Sequence, residues 1–259
     1  RQSTLFPYTT LFRSSLSIIG MCKNAGKTTV LNRIIYELRD SSLTLGLTSI
    51  GRDGEAVDVV TGTAKPGIYV YENSLIATAE DMLSLSDATR EIVGTTGFST
   101  PLGDVVIFRA RSDGSVQLAG PSMTAQLISL AERFSALGAD ITLIDGALGR
   151  KTLCAPAVSE ATVLCTGASY SKNISTVVDD TAFAAKLLML PRAKLWSDAE
   201  AACESSAKVR LRRDDGTVTT LPDSLTLAQA LRSPDYSDVR GIFVSGALTQ
   251  MLPVLAGLF

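Results

Sequence analysis

The sequence predicts an α/β fold: a mostly parallel sheet flanked by helices, with an antiparallel β-hairpin insertion. Three features carry this reading. The chain opens with a buried-strand run, "LSIIG", then a glycine-bearing loop, then a segment with one apolar helical face. The same alternation of apolar runs and helical patterns returns after residue 121. Between them, residues around 66 to 120 read as β-rich pieces broken by turn dipeptides. Strands separated by helices pair in parallel, because only a long crossover returns the chain in the same direction.

The elements follow in order. "TTVLNRIIYELRD" places Val30, Leu31, Ile34, Ile35 and Leu38 at the spacing of one helix face. "LTLGLTSIG", Leu43 to Gly51, is a second strand. "GIYVYENSLIATA" and "DVVIFRARSDGSVQLAG" are β-rich, with Glu72-Asn73 and Asp113-Gly114 as hairpin turns. Between them, "SDATREIVGTTG" predicts a short helix capped by Ser86 or Asp87 and ended by Gly94 or Gly97. A helix at "MTAQLISLAERFSALG" then leads to the strand "DITLIDGALG". The apolar segment "EATVLCTGAS" leads to the helix "ISTVVDDTAFAAKLLML". A third hairpin, "KVRLRRDDGTVTTL", precedes a helix at "SLTLAQALRS" and a last strand, "VRGIFVSGAL".

Composition narrows the chemistry. The 259 residues are 46% hydrophobic and 19% charged, the balance of a globular chain with a proper core. A net charge of −2 leaves no electrostatic footprint for nucleic acid, and no apolar run is long enough to span a bilayer. Histidine is absent, which excludes His bases, Ser-His-Asp and Cys-His systems, and His metal ligands. Cys22, Cys154, Cys165 and Cys203 form no C-x-x-C pair and read as reduced thiols of a cytoplasmic protein. The "RLRR" cluster at Arg210 to Arg213 sits beside Asp214 and Asp215 and reads as a solvated hairpin.

The two ends stand apart. "TLFPYTTLFRS", Thr4 to Ser14, resembles the translation of a sequencing-adapter oligonucleotide, and Arg13 breaks any signal-peptide core. Residues 1–14 are therefore a non-native leader on this reading. One domain is expected over 15–259, with its β-rich insertion around 66–120. "LPVLAGLF" stops inside apolar sequence, the pattern of a truncated C-terminus.

The chemistry begins at "GMCKNAGKTT", residues 20 to 29. A phosphate-binding loop works because consecutive backbone N–H groups and a helix N-terminus surround an anion, with a lysine and a hydroxyl completing the site. "NAGKTT" supplies these parts. Asn24, Ala25, Gly26, Lys27, Thr28 and Thr29 are the candidate nucleotide-binding residues, Lys27 for the β- and γ-phosphates and Thr28 for Mg²⁺. The usual loop has four residues between its glycines, whereas five separate Gly20 from Gly26. The loops of dethiobiotin synthetase and of the cobyrinic and cobyric acid synthases share that longer spacing, and this loop resembles theirs. Lys23 is one position away from the second lysine of the related ParA-type loops and is not given that role.

"ITLID" resembles a Walker B strand, with Asp145 as the carboxylate that holds the magnesium hydration shell opposite Thr28. An apolar strand ending in Asp-Gly is also a common turn; the loop upstream gives it weight. In "SIGRDGE", Asp53 is a candidate to reach magnesium or activate water, and Arg52 to contact a phosphate or a substrate acid. A polar Asp-Gly turn is the plain alternative there. Lys27, Asp53 and Asp145 thus form the candidate catalytic set, and Thr28, Asp53 and Asp145 the candidate metal set. "TGAS", Thr166 to Ser169, lies where a base or ribose contact fits. No N-K-x-D guanine-reading motif occurs in the sequence, which favours ATP over GTP.

Taken together, "KNAGKTTVLN", "GLTSIGRDGE", "VTGTAKPGIYV", "TTGFSTPLGDVVI", "SDGSVQLAGPS" and "DGALGRK" resemble the P-loop subunit of the reactivating factor for adenosylcobalamin-dependent lysine 5,6-aminomutase. The resemblance covers most of residues 16 to 247. It implies a P-loop NTPase fold and an ATP-driven chaperone that opens a stalled aminomutase so that damaged cobalamin is exchanged. It also implies a second subunit resembling a MutS-type ATPase, with Thr28, Asp53 and Asp145 sensing the γ-phosphate and its metal. Three other readings stay open: a synthetase that phosphorylates a bound carboxylate, a GTPase metallochaperone, and an interaction module whose loop binds nothing.

Overall fold

The computed structural model describes residues 15–51, 67–146, 159–189, 209–222 and 233–244. The chain divides into two compact units, Arg1–Ala185 and Lys186–Phe259. The expected helix over "SLTLAQALRS" lies outside the described residues.

In the first unit, β1 (Ser15–Gly20) leads through the glycine-rich loop into α1 (Lys27–Leu38), and β2 (Leu45–Ser49) follows. Further along come β3 (Ile68–Val70), β4 (Leu75–Ala79), β5 (Arg90–Thr100), β6 (Gly103–Ala110) and β7 (Gly114–Val116). The unit continues with α2 (Thr124–Ala136), β8 (Ile141–Asp145), β9 (Ala161–Cys165) and α3 (Ile174–Leu188), whose last turn crosses into the second unit. A seven-stranded sheet has the order β5-β6-β4-β2-β8-β1-β9. From β4 to β9 its strands run parallel, and β6 and β5 close the edge antiparallel. The predicted α/β architecture is therefore present.

Strands β1, β2, β4 and β8 are buried at every residue, as expected for parallel strands covered on both faces. Alternation divides their side chains. Leu16, Ile18, Leu47 and Ile76 share a core with Leu31, Ile34 and Ile35 of α1. Leu75, Ala77, Val105 and Ile107 pack instead with Leu130 and Phe134 of α2, so α1 and α2 cover opposite faces. Gly46 marks the tightest approach: a Cβ there would lie 2.8 Å from the Phe134 ring.

The β-rich middle departs from expectation in two ways. Residues 86–97 do not form a helix. Arg90–Thr100 is the edge strand β5, paired antiparallel with β6 through a tight turn at Pro101-Leu102. Its β-branched and Gly-rich run suits a pleated, half-buried edge, where Val93 and Phe98 pack beside Phe134. Gly94 and Gly97, read as helix stops, sit instead at register shifts, and Thr96 Oγ1 donates to Val105 O at 2.7 Å across one of them. Secondly, Glu72-Asn73 and Asp113-Gly114 are turns without being hairpins. Asn73 has φ +71°, but β3 leaves the turn to pair with β7, whereas β4 enters the large sheet. Asp113 Oδ1 accepts from Glu72 N at 2.9 Å and couples the two turns.

The β3–β7 pair shares the α1 core through Ile68, Val70 and Val116, and one polar side chain of α1 grips its backbone. Asn32 Nδ2 donates to Gly67 O at 2.9 Å, and its Oδ1 accepts from Tyr69 N at 3.0 Å. The amide thereby occupies the free edge of β3 as a neighbouring strand would.

The second unit holds a three-stranded antiparallel sheet of β10 (Val209–Arg213), β11 (Val218–Leu221) and β12 (Val239–Val244), in the order β11-β10-β12. The expected third hairpin joins β10 to β11, with Gly216 at φ +84°. Only part of "RLRR" is a solvated face. Arg213 pairs with Asp238, whereas Arg210 is buried with its guanidinium 4.2 Å from the Phe243 ring centroid.

Replacing Gly46 by Ala tests the α2 face. The Phe134 ring is fully buried and has little room to give, so Gly46→Ala is expected to cost about 1–3 kcal/mol in chemical denaturation. An unchanged midpoint would show that α2 does not press on β2 as described.

Candidate functional site

The order of the sheet picks out one place. The chain leaves β1 towards β2 and β4 on one side, then crosses from β8 over β1 to β9 on the other. Crevices at such reversals open at the carboxyl ends of the strands and are where open α/β sheets take ligands. The loop from Gly20 to Gly26 lies at that end of β1.

The loop is shaped by its own residues. Asn24 and Gly26 have φ of +58° and +88°, while Ala25 between them does not enter the left-handed region. Alternation of this kind turns successive N–H groups towards one side, making a concavity suited to an anion. The N-cap of α1 is Gly26, which has no side chain to offer the first-turn amides. Those amides, including the ones of Thr28 and Thr29, carry the positive end of the helix. A Cβ at Gly26 would meet nothing within 4 Å, so that side of the loop is unobstructed. At Gly20 the space is taken: a Cβ would sit 3.1 Å from Cγ and Cδ of Lys27 and 3.2 Å from Cys22 O. The Lys27 stem thus folds back over the end of β1, and a larger residue at Gly20 would have to displace it by a few tenths of an ångström.

Asp145 ends β8, directly beside this loop. It stands in register with Ile18 of β1 and Ser49 of β2, and it is buried, with 6% of its surface exposed. Gly146 N donates to Ile18 O at 2.7 Å, and Ile50 N donates to Asp145 O at 2.9 Å, which fixes both strand ends. On the other side, Cys165 pairs with Gly20, and Met21 N donates to Cys165 O at 2.9 Å. The Cys165 thiol is pushed up from its ordinary value of 9.0, first by burial; the Lys27 charge opposes this and Asp145 adds to it. Asp145 and Cys165 thus end the two strands that flank β1, and the Lys27 stem folds back over the end of β1.

Comparisons with protein families, with curated proteins and with solved structures gave no match for this chain.

The structure thus brings together Asn24, Ala25, Gly26, Lys27, Thr28 and Thr29 with Asp145. Asp53 and Arg52 lie outside the described residues. Among the described residues no three His, Cys, Asp or Glu side chains converge as a metal cluster. A divalent cation here would take Thr28 and Asp145 with phosphate oxygens and water, the sparse protein ligation usual for Mg²⁺.

Sequence reasoning missed Gly120, and it named Ser49 and Cys165 without assigning them a place in the site. Gly120 N donates to Ser49 Oγ at 3.0 Å and Gly51 N donates to Pro121 O at 3.1 Å, so residues 119–121 lie across the ends of β2 and β4. A Cβ on Gly120 would fall 2.1 Å from Ser49 O. The only sequence signal for this contact was the Gly-Pro pair, which reads equally as an ordinary turn.

The raised Cys165 thiol gives a pH prediction. The folded chain keeps a proton that the unfolded chain releases, so this contribution is fully present below pH 9.0 and is lost as pH rises through the folded value. The stability difference between wild type and Cys165→Ala should therefore shrink in urea titrations between about pH 7 and about pH 10. A difference that grows over that range would contradict the buried placement of the thiol.

Proposed function

We propose that this chain binds and hydrolyses Mg-ATP and serves as the nucleotide-driven chaperone subunit that reactivates an adenosylcobalamin-dependent aminomutase. The observation that carries the nucleotide half is the adjacency of two strand ends: β1, which runs into the glycine-rich loop, and β8, which ends in buried Asp145. Triphosphate chemistry needs an anion cradle and a metal-holding carboxylate a few ångströms apart, facing the same crevice. In this reading the amides of Asn24, Ala25 and Gly26 and of the first turn of α1 hold the phosphates. Lys27 neutralises the β- and γ-oxygens, while Thr28 and Asp145 hold the hydrated Mg²⁺. When bound, such an ion would supply positive charge to offset the negative charge developed in transfer. Asp53 is proposed to complete the metal shell or to orient the attacking water. The lack of an N-K-x-D run favours ATP.

The client half rests on the sequence stretches from "KNAGKTTVLN" to "DGALGRK" quoted above. ATP and ADP would favour different states of the complex with the mutase, so that hydrolysis moves the complex between them and releases dead cobalamin. A MutS-like ATPase subunit would complete the factor, in the cytoplasm. Neither nucleic acid nor a membrane has a part in this reading; among the described residues no helix is long and apolar enough to cross a bilayer.

One observation favours a second reading. The N-terminus of α2 also begins without a side-chain cap, beside the 119–121 segment at the same edge of the sheet. In that reading Arg52 and the loop after Pro121 would hold the carboxylate, as in a carboxylate-activating synthetase. Release of ADP that depends on an added acid would select this alternative.

Titration calorimetry of the full chain with Mg-ATP and Mg-GTP tests the proposal, with Lys27→Ala as the comparison. Mg-ATP should bind in the micromolar range, and Lys27→Ala should weaken it by about tenfold or more, the effect of losing a charge-assisted contact. Restoration of a stalled aminomutase by the wild type with ATP, and not by the variant, would then establish the client. Binding that is absent, or identical in the variant, overturns the assignment.

A further inference from the structure

The glycine-rich loop is clasped from outside by a residue on the segment after β9. Ser169 Oγ donates to Asn24 O at 3.2 Å and lies 3.1 Å from Cys22 Sγ, joining positions 145 and 147 residues apart in sequence. A hydroxyl has one proton to give. With that proton on the Asn24 carbonyl, the Cys22 thiol must be the donor in its contact with Ser169, and the three groups form a directed chain from S–H to O–H to C=O.

The carbonyl that Ser169 holds is the one that matters for an anion. Across a planar trans peptide, the Asn24 C=O and the Ala25 N–H point in opposite directions. A donor that fixes this carbonyl on the outer side fixes the Ala25 amide on the inner side, where the alternating backbone of Asn24, Ala25 and Gly26 gathers its N–H groups. Asn24 itself sits at φ +58°, a left-handed conformation that needs local support in a residue other than glycine. Met21 N bonded to Cys165 O ties down the start of the loop to the same strand, so the loop is held at both ends by β9 and the residues after it.

We propose that Ser169 is a positioning residue of the nucleotide site: by holding the Asn24 carbonyl it aims the Ala25 amide at the phosphates. This rests on the nucleotide reading above. It extends that reading to the β9–α3 connection, and it makes the affinity of the loop depend on a residue that touches no phosphate. The side chains of Tyr170 and Thr166 are bonded to Asp180 and Thr181 of α3, so the connection itself has anchors independent of Ser169.

The experiment compares wild type, Ser169→Ala and Ser169→Thr as full chains in two readouts. In Mg-ATP titrations, Ser169→Ala should bind about threefold to tenfold more weakly, the range of one neutral hydrogen bond, and Ser169→Thr should restore wild-type affinity. In ¹⁵N–¹H spectra without nucleotide, the Ala25 and Gly26 amides should shift in Ser169→Ala and return in Ser169→Thr. A merely structural loss would not be rescued by the hydroxyl alone. If wild type binds no nucleotide while the amides still shift and return, the clasp stands and the nucleotide reading falls. If Ser169→Ala leaves those amides in place, or binds Mg-ATP as tightly as wild type, the inference is overturned.

Discussion

Strand β1 is hydrogen-bonded on both sides and buried along its whole length, and the rest of the carboxyl edge depends on that constraint. A strand enclosed by β8 and β9 cannot slide without flipping every core side chain to the wrong face. Its last residue, Gly20, is therefore fixed, and with it the start of the loop, the stem of Lys27 and the first turn of α1. Asp145 inherits the same precision, because it stands in register with Ile18 of β1.

The helix that follows the loop carries this geometry away from the crevice. α1 begins at the concavity and packs Leu31, Ile34 and Ile35 on the sheet. Midway along, Asn32 grips the backbone of the β3–β7 pair. Further on, the Arg39 guanidinium stacks 3.7 Å from the ring centroid of Tyr36, and Tyr69 meets Tyr71 edge to face at 5.4 Å. Asn32 thus ties α1 to the small sheet by direct bonds, alongside the core that Leu31, Ile34 and Ile35 share with Ile68, Val70 and Val116.

Much of this is legible in the sequence. The helical face of α1 follows from the spacing of Leu31, Ile34 and Ile35, and the buried strands from unbroken apolar runs. The loop was legible because Gly, Lys and Thr at fixed spacing are a local pattern, and Asp145 because it closes an apolar strand. Residues 90–100 misled, because Gly94 and Gly97 punctuate a bulged edge strand in the same letters that end a helix. The turn at Asn73 was visible, but its partners were not: whether β3 pairs with β4 or with β7 is decided by contacts far apart in sequence. The clasp by Ser169 was illegible for the same reason, since one hydroxyl and one carbonyl leave no pattern in the chain.

The central claim is that the loop after β1 and the carboxylate ending β8 are two halves of one site. Measuring ATP affinity with and without Mg²⁺, in wild type and in Asp145→Asn, tests it most directly. The account predicts that Mg²⁺ strengthens binding in wild type, and that Asp145→Asn loses this gain while keeping the metal-free affinity that the loop supplies. An equal gain from Mg²⁺ in both proteins, or no binding of ATP by either, would contradict it.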